Sequence, residues 1–270
     1  MTTAPDPELE VLFRIAQSVH QTVRQSMTSP HRADVVAMGA DGSPTEELDR
    51  VAEGQILSVL EAEGVDWDLL SEEVGLVRRG GDRLLVVDPI DGSHNALRSM
   101  PFSTISIALG TRDLDGIEKG VVRDLFRGTT YWATRGHGAY RDGHRISVRP
   151  WEVKSELFFV NLGRHSTPAA LELAERGRRI RSLGCASLEM AMVAQGSADA
   201  YLFENDTAER NLRVTDIAAG YRLLLEAGGG VTDASGRPIG SVPLDLAQHT
   251  SVLAFGDPHF VASRQGAGPK

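Results

Sequence analysis

Apolar residues recur at helical spacing in two segments near the start of the chain. Asp6-Pro7 predicts the first helix start, because aspartate caps helices and proline fits their first turn, and the apolar spacing continues to about Arg24. Residues 43–46 (SPTE) have the pattern of a capping box, and the apolar face after them predicts a second helix that stops by Gly64. Both helices are therefore expected to bury one face.

The pattern changes after residue 65 to short apolar runs between glycine and charged residues, which is typical of strands. These runs predict strands at 66–70, 83–87, 104–109, 117–125, 129–134 and 145–148. Asp142-Gly143 is a strong hairpin-turn signal before the last of them.

From about residue 150 the pattern alternates between strands and helices. Strands are predicted at 157–161, 179–183, 198–203 and 250–254, and helices at 167–176, 186–194 and 216–227. Such alternation is α/β order. The chain is therefore predicted to join an α+β half with an antiparallel sheet, residues 1–150, to an α/β half, residues 151–270.

The length and composition of the chain indicate the broad class of protein to which it belongs. A chain of 270 residues fits one large domain or two that share an interface, and its 41% apolar and 24% charged residues are ordinary for a globular fold. The longest stretch without a charge, residues 99–111, is shorter than the roughly 18–20 residues that span a bilayer, and the N-terminus lacks a signal-peptide pattern. A single cysteine, Cys185, excludes an internal disulfide. These features predict a cytoplasmic protein with no membrane partner.

The net charge and the absence of three common motifs exclude several classes of function. The formal net charge of −9, from 28 basic and 37 acidic residues, argues against a nucleic-acid partner, because neutralising phosphates needs basic surface. The sequence has no G-x-S-x-G nucleophile turn, no G-x-x-x-x-G-K-[ST] phosphate loop and no G-x-G-x-x-G dinucleotide turn. The conspicuous motifs are acidic instead.

Two acidic clusters follow neighbouring predicted strands. Ser71-Glu72-Glu73 follows the strand at 66–70, and the run D-P-I-D-G-S at 88–93 follows the strand at 83–87. If the glycine-rich turn at 78–82 joins adjacent strands, both clusters end at the same edge of the sheet. Four carboxylates gathered there would repel one another by several kcal/mol unless cations lie between them. Hard oxygen ligands favour Mg²⁺ or Mn²⁺ over zinc.

The second cluster has its own stereochemical logic. Pro89 fixes a turn, so that the two aspartates can point into one site with the Ile90 carbonyl as a further ligand. Gly92 permits close backbone approach, and the segment from Ser93 can start a short helix whose N–H groups face a phosphate. Taken alone, the motif also fits a surface turn that merely caps a helix. The glutamates on the neighbouring strand favour the metal site.

Three motifs together carry a resemblance to a known family. D-P-I-D-G-S-x-N at 88–95, S-E-E at 71–73 and V-T-D-I-A-A-G at 214–220 resemble the inositol monophosphatase superfamily of Mg²⁺-dependent, lithium-sensitive phosphatases. Residues 39–45 and 95–102 look most like its archaeal branch, whose members act on inositol monophosphate and fructose 1,6-bisphosphate. The resemblance implies the layered α-β-α-β-α sandwich of the sugar phosphatase type, assembled as a homodimer.

The resemblance also implies a metal centre with two or three Mg²⁺ per site, for which Mn²⁺ can substitute. Its implied ligands are carboxylates and one backbone carbonyl: Glu72, Asp88 and Ile90 for the first ion, and Asp88, Asp91 and Asp216 for the second. Glu72 and the Ser93 hydroxyl would orient the attacking water, and Asp49 would be an outer-shell carboxylate near a third ion. The implied reaction is a metal-assisted, in-line displacement with no covalent phosphoenzyme.

Substrate contacts follow from the same resemblance. The implied contacts come from the two helix starts and one loop, namely Asp91, Gly92, Ser93, His94, Asn95, Gly184, Cys185, Ala186, Glu209 and Arg210. His94 also fits a solvent-facing loop, and Cys185 is interpreted as a small lining residue rather than a nucleophile. Arg210 suits a second phosphate and Glu209 a polyol hydroxyl, although both also fit plain surface charge. Thr215 departs from the tryptophan that is usual before the metal aspartate.

The sequence therefore predicts a Mg²⁺-dependent phosphomonoesterase that acts on inositol 1-phosphate, fructose 1,6-bisphosphate or both. The alternatives within this class are a phosphatase of 3′-phosphoadenosine phosphate, of histidinol phosphate or of NADP. A different class is a non-catalytic, metal- or phosphate-binding regulator on the same fold. The complete ligand set argues against this class, because a decayed site would have lost at least one ligand.

Overall fold

The computed structural model describes residues 6–153 and 155–265. In this part of the chain the helices are α1 (Pro7–Ser26), α2 (Glu47–Ala62), α3 (Ser93–Leu97), α4 (Pro168–Arg176), α5 (Ala186–Ala194), α6 (Val214–Glu226) and α7 (Pro258–Gln265). The strands are β1 (Val35–Met38), β2 (Pro44–Glu46), β3 (Asp68–Ser71), β4 (Gly75–Val77), β5 (Leu84–Asp91), β6 (Thr104–Gly110), β7 (Ile117–Asp124), β8 (Thr130–Thr134), β9 (Gly138–Arg141), β10 (His144–Ile146), β11 (Phe158–Val160), β12 (Ile180–Arg181), β13 (Ala200–Phe203), β14 (Leu212–Arg213), β15 (Gly230–Thr232), β16 (His249–Thr250) and β17 (Val252–Phe255). Short 3₁₀ turns lie at Leu114–Gly116 and Ala208–Arg210.

An eight-stranded sheet, in the order β10-β9-β8-β7-β6-β5-β3-β4, forms the first part of the fold. Its neighbouring strands are antiparallel except for β3 and β5, which run parallel and pair Ser71 with Val87. The carboxyl ends of β3 and β5 therefore lie at the same edge of the sheet, as predicted. Strand β5 runs on to Asp91, however, so the second acidic cluster lies within the strand and not after it.

A five-stranded sheet, in the order β12-β11-β13-β17-β15, forms the second part. Strands β11, β12 and β13 are parallel, whereas β17 runs antiparallel to both of its neighbours. The loops that follow the three parallel strands therefore leave from one edge of this sheet. One of them leads directly into α5.

Alternate residues of each sheet face different helical layers. On β5, Leu85 and Val87 pack in the cluster of α1 and α2, whereas Val86 packs in the cluster of α5 and α6. On β13, Tyr201 faces the central helices, whereas Leu202 packs with α4 and α7. The layers follow the order helix, sheet, helix, sheet, helix. The predicted α-β-α-β-α sandwich is confirmed.

Helix α6 lies very close to its neighbours at two glycines. A Cβ atom at Gly120 of β7 would lie 2.8 Å from the Ala219 carbonyl oxygen, and one at Gly220 would lie 2.8 Å from the Met190 Sδ. Neither position can hold a larger residue unless the helix moves. Helix α6, which carries Asp216, is thus fixed between β7 and α5.

The second helix begins later than the sequence predicts. Residues Pro44–Glu46 form β2 and pair with β1 as a two-stranded hairpin, so α2 begins at Glu47. The capping contact runs from the Glu46 N to the Asp49 Oδ2 at 3.3 Å. The predicted start at residue 43 is wrong, because pairing with β1 takes the residues that would have formed the first turn.

Other boundaries agree more closely with the predictions. Asp142-Gly143 joins β9 to β10 with positive φ angles of 47° and 81°, which confirms the hairpin turn. Helix α6 starts at Val214 rather than at residue 216. The division near residue 150 stays a prediction. Among the described residues, no helix combines the length and apolar character needed to cross a membrane.

Candidate active site

Three carboxylates that are far apart in the chain meet near the ends of β3 and β5. Glu72 directly follows β3, Asp88 lies in β5, and Asp216 lies in the first turn of α6. One oxygen from each lies within 4.8 Å of the other two, and Asp88 is only 5% exposed. Across residues 6–153 and 155–265, no second group of three or more metal-ligating side chains converges in this way.

Each of these carboxylates accepts a hydrogen bond that fixes its position. The bonds are Ile90 N to Asp88 Oδ1 at 2.9 Å, Arg213 N to Asp216 Oδ2 at 2.8 Å, and Thr215 Oγ1 to Glu72 Oε1 at 2.7 Å. A carboxylate offers about four lone-pair sites. All three side chains therefore keep acceptor capacity for another ligand.

Burial and mutual repulsion oppose ionisation of this group. The pKa of Asp88 is raised well above its usual range by burial and then by the charges of Glu72, Asp91 and Asp216. Burial and the charges of Glu72 and Asp91 raise the pKa of Asp216 as well. A divalent cation would remove this repulsion, and an all-oxygen ligand set suits Mg²⁺ or Mn²⁺. The residues present thus fit a divalent metal centre.

Asp91 is held against the start of α5. Its Oδ1 accepts a hydrogen bond from the Ala186 N at 3.2 Å, and its Oδ2 accepts two from the Ser187 N and Oγ, each at 2.6 Å. Asp91 does not belong to the trio within 4.8 Å, although its charge raises the pKa of Asp88 and of Asp216. Its role as a ligand of the second ion stays a prediction.

The turn after Asp91 depends on a glycine. Gly92 has a φ of 81°, and a Cβ there would lie 2.7 Å from the Phe102 carbonyl oxygen. The short helix predicted from Ser93 is present as α3. His94, its second residue, is exposed, which favours the interpretation as a solvent-facing side chain.

Asn95 ties this turn to the loop before α5. Its Nδ2 donates to the carbonyl oxygens of Phe102, Leu183 and Gly184 at 2.9, 2.8 and 3.2 Å. Its side-chain amide is therefore occupied by backbone groups. Its backbone N–H donates to the Gly92 carbonyl oxygen at 2.9 Å, and its contact with substrate stays a prediction.

The residues at the start of α5 are small, as the sequence suggests. Gly184 has a φ of 69°, and Cys185 is the buried cap residue before Ala186. Burial and then the charge of Asp91 raise the pKa of the Cys185 thiol well above its usual range. The thiol stays protonated at neutral pH, which does not suit a nucleophile.

Two further buried carboxyl groups lie on α2. Burial raises the pKa of Asp49 to about 8, and hydrogen bonding to Glu46 and the charge of Glu73 add to this rise. Burial raises the pKa of Glu53 to about 7 against a hydrogen bond from the Ser71 hydroxyl. The outer-shell role of Asp49 stays a prediction. Glu53 is not among the predicted site residues.

The raised pKa values of Glu53 and Asp49 predict a pH dependence of stability in metal-free protein. Because the folded-state pKa lies above the unfolded one, the unfolded chain releases its proton first as the pH rises. The free energy of unfolding therefore falls from about pH 4.5 to about 7 for Glu53, and from about pH 3.8 to about 8 for Asp49. We expect Tm in EDTA to drop over this window. In Glu53→Gln the drop should be shallower, and an equally steep drop would contradict the assignment of the pKa to Glu53.

Glu209 and Arg210 lie on the exposed 3₁₀ turn between β13 and β14. The Arg210 guanidinium NH1 lies 3.3 Å from the Asp206 Oδ1 and 2.5 Å from the His165 Nδ1. Such an exposed ion pair contributes little to stability and can exchange partners. The predicted contacts of Glu209 and Arg210 with substrate stay predictions.

Sequence reasoning missed the roles of two residues that flank Asp216. Thr215 bonds Glu72, and the Arg213 guanidinium lies 3.2 Å from the Asp41 Oδ2 and donates to the Asp41 carbonyl oxygen at 3.0 Å. Burial raises the pKa of Glu72, and the hydrogen bond from Thr215 and the charge of Arg213 oppose this rise. The departure from tryptophan at residue 215 was the available signal, since a hydroxyl beside a metal aspartate can orient a neighbouring carboxylate.

Buried carboxylates that converge at a sheet edge, inside a five-layered sandwich, form a centre suited to divalent metal ions. The sequence model of the inositol monophosphatase family matches residues 4–264. This chain therefore belongs to that family of phosphomonoesterases.

Individual relatives narrow the comparison. A fructose-1,6-bisphosphatase/inositol-1-monophosphatase of Methanothermobacter thermautotrophicus is 36% identical, over 92% of this chain and 91% of its own. A bifunctional NADP phosphatase/NAD kinase of Methanococcus maripaludis is 33% identical over 91% of this chain, which spans 46% of that longer protein. Among solved structures, a Pyrococcus horikoshii protein with similarities to inositol-1 monophosphatase has a TM-score of 0.82 at 25% identity, covering 97% of this chain and 98% of its own.

Proposed function

We propose that this protein hydrolyses small phosphate monoesters with divalent metal ions, and that inositol 1-phosphate and fructose 1,6-bisphosphate are its substrates. The observation that carries the proposal is the buried trio Glu72, Asp88 and Asp216, whose oxygens lie within 4.8 Å of one another. The relative from Methanothermobacter, similar over most of both chains, is named for these two activities.

The chain would hold two or three Mg²⁺, or Mn²⁺ in their place, through oxygen ligands. The proposed ligands are Glu72, Asp88, Asp91, Asp216 and the Ile90 carbonyl. Metal bound there would lower the pKa of a water and offset charge on the phosphoryl oxygens.

The remaining roles fall to side chains and backbone around the trio. Glu72, whose Oε1 accepts from Thr215, would use its remaining lone pairs with the Ser93 hydroxyl to orient the attacking water. The backbone N–H groups of residues 92–94 would bind phosphoryl oxygens, since the Asn95 N–H donates to the Gly92 carbonyl oxygen. The water oxygen would then bond to phosphorus as the bond from phosphorus to the leaving alkoxide breaks. Asp49 would be an outer-shell carboxylate near a third ion.

A phosphate-release panel with Mg²⁺ tests this function. It compares inositol 1-phosphate, fructose 1,6-bisphosphate, histidinol phosphate, 3′-phosphoadenosine phosphate and NADP by kcat/KM. We expect the first two to be the best substrates. Preference for NADP would instead favour the phosphatase activity for which the Methanococcus relative is named, and no release from any ester would favour a non-catalytic regulator.

Substrate choice gives a separate prediction at Arg210. Its exposed pair with Asp206 is weak enough for a second phosphate to displace, and a charge-assisted contact contributes roughly 1.5–3 kcal/mol. Arg210→Ala should therefore raise KM for fructose 1,6-bisphosphate about tenfold and leave KM for inositol 1-phosphate within about twofold.

Two variants control this measurement. Asp206→Asn removes the ion-pair partner of the guanidinium and should not raise KM for the bisphosphate. Glu209→Gln should weaken the hydroxyl-rich monoester more than the bisphosphate. If neither Arg210→Ala nor Glu209→Gln changes either KM by more than about twofold, the loop does not select substrates.

The proposal includes a cytoplasmic homodimer, as in the resemblance described above. Light scattering should give a mass near twice the 29.1 kDa of one chain. A mass of one chain at micromolar concentration would contradict the dimer and leave the phosphatase proposal standing.

A further inference from the structure

Ser187, the second residue of α5, makes unusually close contact with Asp91. Its backbone N and its Oγ both lie 2.6 Å from the same oxygen, Asp91 Oδ2. The Ala186 N adds a third donor, on Oδ1, at 3.2 Å. Ser187 has no exposed surface and Asp91 is 8% exposed, so water does not compete for these bonds.

A second hydroxyl lies behind Ser187. Thr104, a fully buried residue of β6, has its Oγ1 2.5 Å from the Ser187 Oγ. An ionised carboxylate can only accept, so the Ser187 hydroxyl must give its one proton to Asp91. The Thr104 hydroxyl must then donate to Ser187. The proton order Thr104 to Ser187 to Asp91 is therefore fixed by stereochemistry.

The three donors also limit how Asp91 can meet a cation. A carboxylate has about four lone-pair sites, and three of them are taken here. The direction from which a cation can bind Asp91 is thus nearly determined before the cation arrives. Outer-shell donors of this kind orient metal ligands in many proteins.

We propose that Ser187, supported by Thr104, is a positioning residue that fixes the Asp91 carboxylate for the metal centre. This inference rests on the proposed function, because it concerns the same site. The inference adds Thr104, from the first half of the chain, and Ser187, from the second half, to the residues on which metal affinity depends. Neither was among the residues predicted from the sequence.

A purely structural role would have a different signature. If the two hydroxyls only satisfy each other in a buried interface, their removal lowers Tm and leaves metal affinity unchanged. If they position Asp91, removal weakens metal binding in protein that is still folded. Affinity for Mn²⁺ alone, measured by calorimetry or by the free-ion electron paramagnetic resonance signal without substrate, separates the two roles.

Ser187→Ala is the first variant to measure. It removes the side-chain donor while the Ser187 N bond remains, and we expect Mn²⁺ affinity to fall about tenfold or more. Ser251→Ala is the matched control, since that hydroxyl accepts a bond from the Ala234 N and contacts none of the site carboxylates. The control should bind Mn²⁺ as the parent does.

Thr104→Val tests the order of the hydrogen bonds from Thr104 to Ser187 to Asp91. It should weaken Mn²⁺ binding less than Ser187→Ala does. The double variant should bind Mn²⁺ no more weakly than Ser187→Ala alone, because Thr104 reaches the Asp91 carboxylate through Ser187. Ser187→Thr keeps the hydroxyl and should restore most of the affinity. If Ser187→Ala does not fold, Thr104→Val carries the test.

The outcomes are distinct. Mn²⁺ affinity within about twofold of the parent in folded Ser187→Ala, or in folded Thr104→Val if the alanine variant does not fold, overturns this inference and leaves the proposed function intact. Additive losses in the double variant overturn the order Thr104 to Ser187. If the parent itself binds no Mn²⁺ and releases no phosphate, the proposed function fails and this inference fails with it.

Discussion

Asp88→Asn should lower kcat at least about a thousandfold while the protein stays folded. Asp88 is the most buried member of the carboxylate trio, and the charges of Glu72, Asp91 and Asp216 all act on it. Losing this ligand removes several kcal/mol of transition-state stabilisation, and each 1.36 kcal/mol is tenfold in rate. The amide oxygen of the substituted side chain can still accept from the Ile90 N, so the turn is kept.

Thermal unfolding separates this effect from a folding defect. Without metal, Asp88→Asn should melt no lower than the parent, because one of the repelling buried charges has gone. Asp245→Asn makes the same change in charge at a turn where the Asp245 carboxylate accepts from the Ala247 N, and it should leave kcat unchanged. Near-normal kcat in Asp88→Asn would remove Asp88 from the site.

Chelation should abolish turnover, and Mg²⁺ or Mn²⁺ should restore it. The reason is the donor set, since the converging side chains are all carboxylates with no histidine or cysteine among them. Zinc prefers nitrogen and sulfur ligands, so it should not replace Mg²⁺ as an activator. Rates are measured after exhaustive treatment with EDTA and after return of each ion separately.

The same experiment has a structural control. Return of Mg²⁺ should raise Tm in the parent, since binding to the folded state alone stabilises it, and should raise it far less in Asp88→Asn. Full turnover in the chelated parent would contradict a metal-dependent reaction. Activation by zinc alone would contradict the oxygen-only ligand set.

Local sequence predicted those parts of the site that lie close together along the chain. Pro89 and Gly92 set the turn around Asp91 through their own backbone preferences, and the spacing between the two acidic clusters suits adjacent strands. Such features depend on short-range geometry, which a single sequence displays. The five layers were implied by the family resemblance alone.

Contacts between distant segments left no local pattern. The bond from Thr215 to Glu72 and the pair of Arg213 with Asp41 join residues more than a hundred positions apart. Strands as short as β14 and β16 are below the length at which periodicity is visible. The predicted start of α2 was wrong for the same reason, because it depends on the pairing of residues 44–46 with β1, which lies outside the helix.

The close approach at Gly120 and Gly220 has a consequence for random mutagenesis. Neither residue has a side chain, yet one added carbon at either would shift the helix whose first turn holds Asp216. Screens that score loss of catalysis should therefore recover both glycines beside the carboxylates. Loss of activity at these two glycines would then not mean that they contact the substrate. It would mean that their close packing fixes the position of the Asp216 carboxylate.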